Sequence, residues 1–148
     1  MAPSACPRPD LELFTEIAII DQLARNRVES RLPAGLSYAG LALLNHFARV
    51  GRPENPARLA EAFKVTKGAM TNTLQRLEAL GFVAVARDPS DGRRKVVTLT
   101  ARGVQAQREA QGAVRPQLET LRQAFPQADF DAALPFLRRL RAWLDQHR

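Results

Sequence analysis

The fold is decided by residues 56–103, with the sequence PARLAEAFKVTKGAMTNTLQRLEALGFVAVARDPSDGRRKVVTLTARG. A helix is predicted over residues 56–63, because proline is favoured at an early helical position and the apolar residues share one face. Residues 64–65 form a turn. Thr66 is a good N-cap for a second helix, which Gly81 ends. Two short helices joined by a tight turn are typical of a helix-turn-helix.

The second helix has two different faces. Large apolar side chains recur on one face at helical spacing, at Met70, Leu74 and Leu77. The opposite face carries small, amide, hydroxyl and cationic groups, which are the groups that contact base edges and phosphates in DNA. The residues predicted to bind DNA from this helix are Thr66, Lys67, Gly68, Thr71, Asn72, Gln75 and Arg76.

A two-stranded ribbon is predicted after this helix, with strands at about residues 82–86 and 96–99. The segment between them, RDPSDGRRK, is rich in turn-forming residues and in cations. A ribbon with a basic tip beside a helix-turn-helix indicates a winged helix. We expect Arg87, Arg94 and Lys95 to contact the DNA backbone.

The positive charge of the chain is concentrated in the same segment. Residues 64–103 contain eight Lys or Arg and three acidic residues, so this segment holds +5 of the total charge of +7, whereas residues 1–63 contain seven of each sign. A local basic excess indicates a polyanionic partner.

Residues 56–103 resemble the DNA-binding lobe of the MarR family of bacterial transcriptional regulators. The resemblance rests on RLEALGFV at the end of the second helix, on the pair Asp91 and Arg93 in the wing, and on VTLTARG before the next helix. It implies that Arg93 enters the minor groove and that Asp91 helps to hold the wing in shape. Family members often have a basic residue where this chain has Asn72, which leaves the base preference open.

The rest of the chain is predicted to be helical, so the fold class is mainly α with a small β-wing. We expect Asp10, Ser37 and Thr100 to be helix N-caps. Pro116 should bend or break the long helix that follows Thr100, and Pro135 should kink the last helix or mark its true start. The predicted flanking helices cover about residues 10–31, 38–50, 101–125 and 129–146.

The terminal helices have wide apolar stripes and no sheet to cover them. We therefore predict a homodimer that reads a pseudo-palindromic operator on double-stranded DNA. The predicted organisation is a flexible arm at residues 1–9, a helical dimerisation region at residues 10–36 and 101–148, and a winged helix-turn-helix DNA-binding lobe at residues 37–100. A monomer whose terminal helices cover its own lobe is the alternative.

The resemblance also implies a repressor that releases DNA when a small aromatic, phenolic or lipophilic effector binds between the dimerisation helices and the lobe. Arg25, Tyr38 and His46 are the candidate effector-binding residues, although a structural role for each remains open. Cys6 offers a redox-sensing alternative, because an N-terminal cysteine senses peroxides in some relatives.

Other functional classes find less support. The sequence has no pattern of an active site and no Gly-rich phosphate loop, so we expect neither an enzyme nor a cofactor. Two histidines and one cysteine are too few to favour a metal site. A winged helix that binds protein or RNA, without an operator, is the competing function. The chain contains no apolar run of membrane-spanning length and no signal peptide, which indicates a cytoplasmic protein.

Overall fold

The computed structural model describes residues 8–147, which form six helices and one two-stranded antiparallel sheet. The predicted fold class, mainly helical with a small β-wing, is confirmed at this level. In chain order the elements are α1 (Pro9–Glu29), α2 (Tyr38–Val50), α3 (Pro56–Phe63), α4 (Lys67–Ala79), β1 (Val83–Arg87), β2 (Lys95–Leu99), α5 (Ala101–Ala124) and α6 (Gln127–Gln146).

The helix-turn-helix forms where the sequence predicts it. The side chain of Asn55 accepts hydrogen bonds from two amides at the start of α3, and Lys64 ends that helix in the left-handed conformation, with φ of 55°. Thr66 caps α4 by accepting the amide of Ala69 at 3.1 Å. Gly81, with φ of 76°, follows the end of α4, as expected for a residue that must leave the helix in this conformation.

The wing is a ribbon of β1 and β2 in which Arg87 pairs with Lys95. Both residues therefore belong to strands, whereas the sequence placed them at the ends of the loop. Glu54, in the connection between α2 and α3, adds a third extended segment. Its backbone exchanges two hydrogen bonds with Val97, of 3.0 and 2.8 Å, which fixes the wing to the helix-turn-helix.

The core lies in the lobe formed by α2, α3, α4 and the wing. Its largest fully buried side chains are Phe47, Leu43, Leu44, Leu59, Leu77 and Val97. They come from both helices of the helix-turn-helix, from α2 and from β2, so one apolar cluster holds α4 and the wing against the same support. Burial of this kind contributes roughly 1.5–3 kcal/mol for each large apolar side chain.

The start of α5 is joined tightly to the end of α4. The Thr100 hydroxyl donates to the carbonyl oxygen of Gly81 at 2.6 Å and accepts the amide of Gly103 at 3.0 Å. The predicted N-cap role of Thr100 is thus confirmed, as is that of Ser37, whose hydroxyl accepts the amide of Gly40 at 3.0 Å. Gly103 is buried against Phe82, and a methyl group there would overlap the Phe82 carbonyl oxygen.

Two predictions about the first helix and the first residues need correction. Asp10 is not an N-cap, because α1 begins at Pro9 and the flanking residue is Arg8. The carboxylate of Asp10 instead accepts two hydrogen bonds from the Arg8 guanidinium, of 3.1 and 2.8 Å. Of the arm predicted at residues 1–9, only Arg8 and Pro9 are described, and Cys6 lies outside the described residues.

For each proline in the last two helices, one of the two predicted effects is wrong. The helical conformation of α5 continues through Pro116, so the predicted break is wrong. Proline removes the helical hydrogen bond to Gly112, and the turns on both sides continue without it. Pro135 likewise lies inside α6, which begins at Gln127, so Pro135 does not mark the start of that helix.

The chain divides into two compact units, with the boundary between Ala113 and Val114. The first unit contains the described residues up to Ala113, including α1, the winged helix and the first half of α5. The second unit contains the rest of α5 and α6. The helix α5 crosses the boundary one turn before Pro116.

A substitution of Gly103 by alanine tests the joint between α4 and α5. We expect Gly103→Ala to destabilise the protein by roughly 1–3 kcal/mol, because the added methyl group must displace the Phe82 backbone or Leu99. Urea denaturation measures this change.

Gly112→Ala is the matched control, since it adds the same methyl group to the same helix in open space. It should stabilise the helix by roughly 0.5–1 kcal/mol. Equal effects of the two substitutions would contradict a close approach at Gly103.

Candidate nucleic-acid interface

Helix α4 presents the polar face that the sequence predicts. Met70, Leu74 and Leu77 are buried, so the opposite side of the helix faces solvent. All seven candidates on this helix and its cap are exposed, namely Thr66, Lys67, Gly68, Thr71, Asn72, Gln75 and Arg76. The burial of one side thus creates a continuous outward surface of hydrogen-bonding groups and two cations.

Exposure at Gly68 has a geometric consequence. A side chain at this position would meet no atom within 4 Å, so the glycine is not required by packing in the folded chain. Its effect is to leave the first turn of α4 without a side chain on the exposed face. Another macromolecule can therefore approach the backbone closely at this point.

The wing loop is held by its own hydrogen bonds. The Asp88 carboxylate accepts the amide of Ser90 at 2.9 Å and its hydroxyl at 2.7 Å, while the Asp88 amide donates to the Arg94 carbonyl at 2.8 Å. The hydrogen bond from the Ser90 side chain holds the pKa of Asp88 below its usual value. One oxygen of the Asp88 carboxylate is thus tied to the loop through Ser90.

Asp91 and Arg93 lie side by side at the tip of the wing. The Asp91 carboxylate accepts the backbone amide of Arg93 at 3.1 Å, and its other oxygen is 3.5 Å from Nε of Arg94. No hydrogen bond or ion pair holds the Arg93 guanidinium within residues 8–147. Arg87, Arg93, Arg94 and Lys95 are all exposed, so four cations project from the ribbon and its loop.

The three candidate effector residues do not form one cluster. The guanidinium of Arg25 lies 5.0 Å from the centre of the Tyr38 ring, a cation–π contact, and is tied to Asp21 at 2.7 Å. That bond to Asp21 raises the pKa of Arg25. His46 lies elsewhere in the lobe, with its ring edge against Phe63 at 5.4 Å between ring centres.

His46 faces a carboxylate that is turned inward. Its buried Nε2 lies 3.8 Å from Oε1 of Glu54, beyond hydrogen-bond distance, and has no hydrogen-bond partner in the described part of the chain. The Glu54 side chain is only 11% exposed. The carboxylate closest to the foot of the wing is therefore withdrawn from the surface.

Two cavities lie in the first unit. One, of about 420 Å³, is bounded by α2, β2 and the start of α5, and its lining includes Phe47, Leu99, Val104, Gln107 and Arg108. The other, of about 920 Å³, lies between the start of α3 and the base of the wing. None of Arg25, Tyr38 and His46 lines either cavity.

The described residues show no other kind of site. Across residues 8–147, His, Cys, Asp and Glu side chains nowhere gather in threes as a metal site would need. The helices of this same part of the chain also lack the length and apolar composition of a membrane span.

Comparison with known proteins agrees with this architecture. Residues 34–94 match the model of the MarR family, a range that includes α2, the helix-turn-helix, β1 and the wing loop. Residues 34–94 are thus similar to the MarR family. A search of the curated proteins returns no match.

Several solved structures have the same fold. The transcriptional regulator BldR from Sulfolobus solfataricus is 26% identical, with 93% of this chain and 96% of that chain covered and a TM-score of 0.75. A mutant of MarR from E. coli, complexed with operator DNA, is 22% identical, with 89% and 95% covered and a TM-score of 0.79. The PcaV regulator from Streptomyces coelicolor, in complex with its natural ligand, is 16% identical, with 93% and 97% covered and a TM-score of 0.80.

The predicted MarR resemblance is thus confirmed, and so is the coarser functional prediction of a MarR-family transcriptional regulator with a DNA-binding winged helix fold. The BldR and PcaV neighbours are named as transcriptional regulators. Sequence reasoning missed the bridge between Glu54 and Val97 and the two cavities. A single residue in a proline-rich connection gives no periodic signal, and a cavity depends on the distances between elements.

Proposed function

We propose that this MarR-family protein is a homodimeric, sequence-specific regulator that binds a pseudo-palindromic operator and represses transcription. The observation that carries this proposal is the exposed polar face of α4 beside a wing with four exposed cations. Helix α4 then lies in the major groove, where Lys67, Thr71, Asn72, Gln75 and Arg76 meet base edges or phosphates. Thr66 and Gly68 allow the first turn of the helix to approach closely.

The wing supplies the second set of contacts. Arg93 enters the minor groove, and Asp91 supports it by accepting its backbone amide, which fixes the direction of the loop at that residue. Arg87, Arg94 and Lys95 contact phosphates. Their placement in or next to paired strands supports this role, because the strand pairing between Arg87 and Lys95 limits the freedom of both side chains.

A fluorescence-anisotropy titration against the chain's own upstream intergenic DNA tests the proposal. Tight binding that weakens with salt and prefers this DNA to a scrambled duplex is expected. Equal and weak binding to both would instead favour a winged helix that recognises another macromolecule.

Arg93→Ala should weaken operator binding several-fold, because it removes the only tip side chain assigned to the minor groove. The melting temperature should change little, since the exposed Arg93 side chain forms no hydrogen bond or ion pair within residues 8–147. Arg49→Ala removes the same charge from an exposed position in α2, outside the predicted dimerisation region and the residues assigned to DNA, and is the control. If the affinity of Arg93→Ala equals that of the control, the wing does not enter DNA.

The homodimer is supported by apolar side chains that the single chain leaves exposed. Neither α1 nor α6 has a buried residue. Leu23 is 62% exposed in α1, and Trp143 is 56% exposed in α6. Contiguous apolar surface on a soluble chain usually marks an interface, and a second copy presenting the same helices can cover it.

Leu23→Asp tests the dimer. We expect the variant to elute as a monomer on sizing chromatography, because a buried carboxylate would have no partner in a two-fold interface. Its circular dichroism should stay helical, since Leu23 is already exposed within one chain. If the variant still elutes as a dimer, α1 does not form the interface.

The cavity of about 420 Å³ supports effector binding. Phe47, Leu99 and Val104 give it an apolar lining, while Gln107 and Arg108 supply polar groups. Arg108 is exposed and has no hydrogen-bond or ion-pair partner within residues 8–147. This combination fits an aromatic or lipophilic anion. Since β2 forms part of the lining, such a ligand can favour one wing position and so change DNA affinity.

Ala48→Phe tests whether this cavity is the effector site. Ala48 is exposed at the cavity, so a phenyl group there should fill the space without changing the core. With salicylate as the probe, the wild-type protein should release operator DNA, and the variant should bind operator but no longer respond.

Arg25→Ala tests the other candidate effector site, which the sequence predicts near Arg25 and Tyr38. It should leave the response to salicylate unchanged if the cavity is the site. If Arg25→Ala abolishes the response and Ala48→Phe keeps it, the effector binds near Arg25 and Tyr38. A redox role for Cys6, cytoplasmic location and the absence of catalysis stay predictions.

A further inference from the structure

A second basic surface lies on the lobe, apart from the exposed face of α4. It is the open cavity of about 920 Å³ between the start of α3 and the base of the wing, which we call the α3–wing groove. Three arginines line it, Arg52, Arg58 and Arg94. Arg52 precedes α3, Arg58 lies in its first turn, and Arg94 directly precedes β2, so three separate segments bring positive charge to one groove.

The two acidic residues that line the groove, Glu54 and Asp88, offset only part of this charge. Glu54 is withdrawn, with its side chain 11% exposed and its carboxylate facing His46 at 3.8 Å and Arg52 at 3.4 Å. The Asp88 carboxylate keeps its charge while one of its oxygens accepts the amide and the hydroxyl of Ser90. Three guanidinium groups against two carboxylates leave the groove with a net positive charge of one.

The arginines themselves are available for a ligand. The side chains of Arg52 and Arg94 are 70% and 69% exposed, although each contacts one carboxylate. The Arg58 guanidinium has no hydrogen-bond or ion-pair partner in the described part of the chain. Arg58 is exposed in the first turn of α3 and does not contribute to the core. The buried residues of that helix are Leu59 and Ala60.

The backbone amides at the start of α3 are not free to bind a ligand in the groove. Asn55 already accepts the amides of Ala57 and Arg58, at 2.8 and 3.4 Å, so the start of the helix has two of its free amides satisfied. Recognition in the groove must therefore come from side chains. Guanidinium groups suit oxyanions such as phosphate, because their planar donors form paired hydrogen bonds.

We propose that the α3–wing groove binds the phosphodiester backbone of duplex DNA, with Arg58 as its principal contact and Arg52 and Arg94 beside it. This inference rests on the proposed operator binding and adds residues to it. Arg94 belongs both to the wing and to the groove, so a DNA strand that meets the wing tip continues into the groove. Each lobe then holds phosphates at the start of α3 as well as at α4 and the wing.

Phosphate contacts in the α3–wing groove should raise the affinity for any duplex and leave the sequence preference unchanged. A phosphate contact carries no base information and makes binding more sensitive to salt, by about 0.9 in the slope of log affinity against log salt for each phosphate neutralised. Loss of Arg58 should therefore weaken binding to operator and to scrambled duplex by the same factor. A contact to a base edge would weaken operator binding alone.

The test compares Arg58→Ala, Arg58→Lys and the control Arg49→Ala in salt titrations of full-length protein with operator and with scrambled duplex. We expect Arg58→Ala to lower the salt slope by about 1.8, because each of the two lobes of the dimer loses one phosphate contact, and to weaken binding to both duplexes several-fold, while Arg58→Lys keeps most of the slope. A slope and affinity equal to those of Arg49→Ala would overturn the proposal. If Arg93→Ala still weakens binding in that case, operator binding stands and only the groove assignment fails.

A modified duplex identifies the phosphate. Phosphates are replaced by neutral methylphosphonates in symmetry-related pairs, one in each half-site. One pair of positions should make the wild-type protein and Arg58→Ala bind equally, because both contacts are then absent from both proteins. If no pair of positions removes the difference between the two proteins, Arg58 acts through the fold and the groove does not bind DNA. Binding of neither duplex by the wild-type protein would overturn operator binding and the groove assignment together.

Discussion

The Thr100 hydroxyl is the interaction on which the arrangement of the lobe depends. It holds the carbonyl of Gly81, which follows α4, and the amide of Gly103, in the first turn of α5, while the Thr100 amide donates to Phe82 at 3.1 Å. One residue thus joins the end of the second helix of the helix-turn-helix, the entry to the wing and the start of the long helix. Because Gly103 has no side chain, the backbones can approach closely enough for these bonds to form.

A second constraint fixes the wing from its other side. Glu54 contributes two backbone hydrogen bonds to Val97, and Val97 is fully buried in the same cluster as Leu59 and Leu77. The wing therefore cannot move independently of α3 and α4 without exposing core side chains. The polar face of α4 and the cations of the ribbon act as parts of one surface for this reason. The cavity of about 420 Å³ beside β2 lies where a small displacement would alter both.

The sequence predicted the helix-turn-helix because its signals are local. Thr66, Gly81 and the apolar positions of α4 act within one or two helical turns, and the structure confirms the elements that they define. The start of α1 was misjudged because Asp10 and Pro9 both suit a helix start, and only the bonds from Arg8 decide between them. Of the two effects predicted for Pro116, a bend or a break, the break does not occur, because the turns on both sides of the proline continue without the one lost hydrogen bond. The cavities and the inward turn of Glu54 depend on distances between elements, so no residue pattern could give them.

The hydrogen bonds inside the wing loop also affect the entropy of any later encounter. Asp88, Ser90, Asp91 and Arg94 order the loop while the chain folds, so the loss of backbone freedom, about 1–2 kcal/mol for each residue fixed, is already complete in the free protein. A disordered loop with the same cations would lose that freedom on meeting its partner and would bind less tightly for the same contacts. The arginines of this wing are therefore presented by a loop that loses little further backbone entropy when it binds.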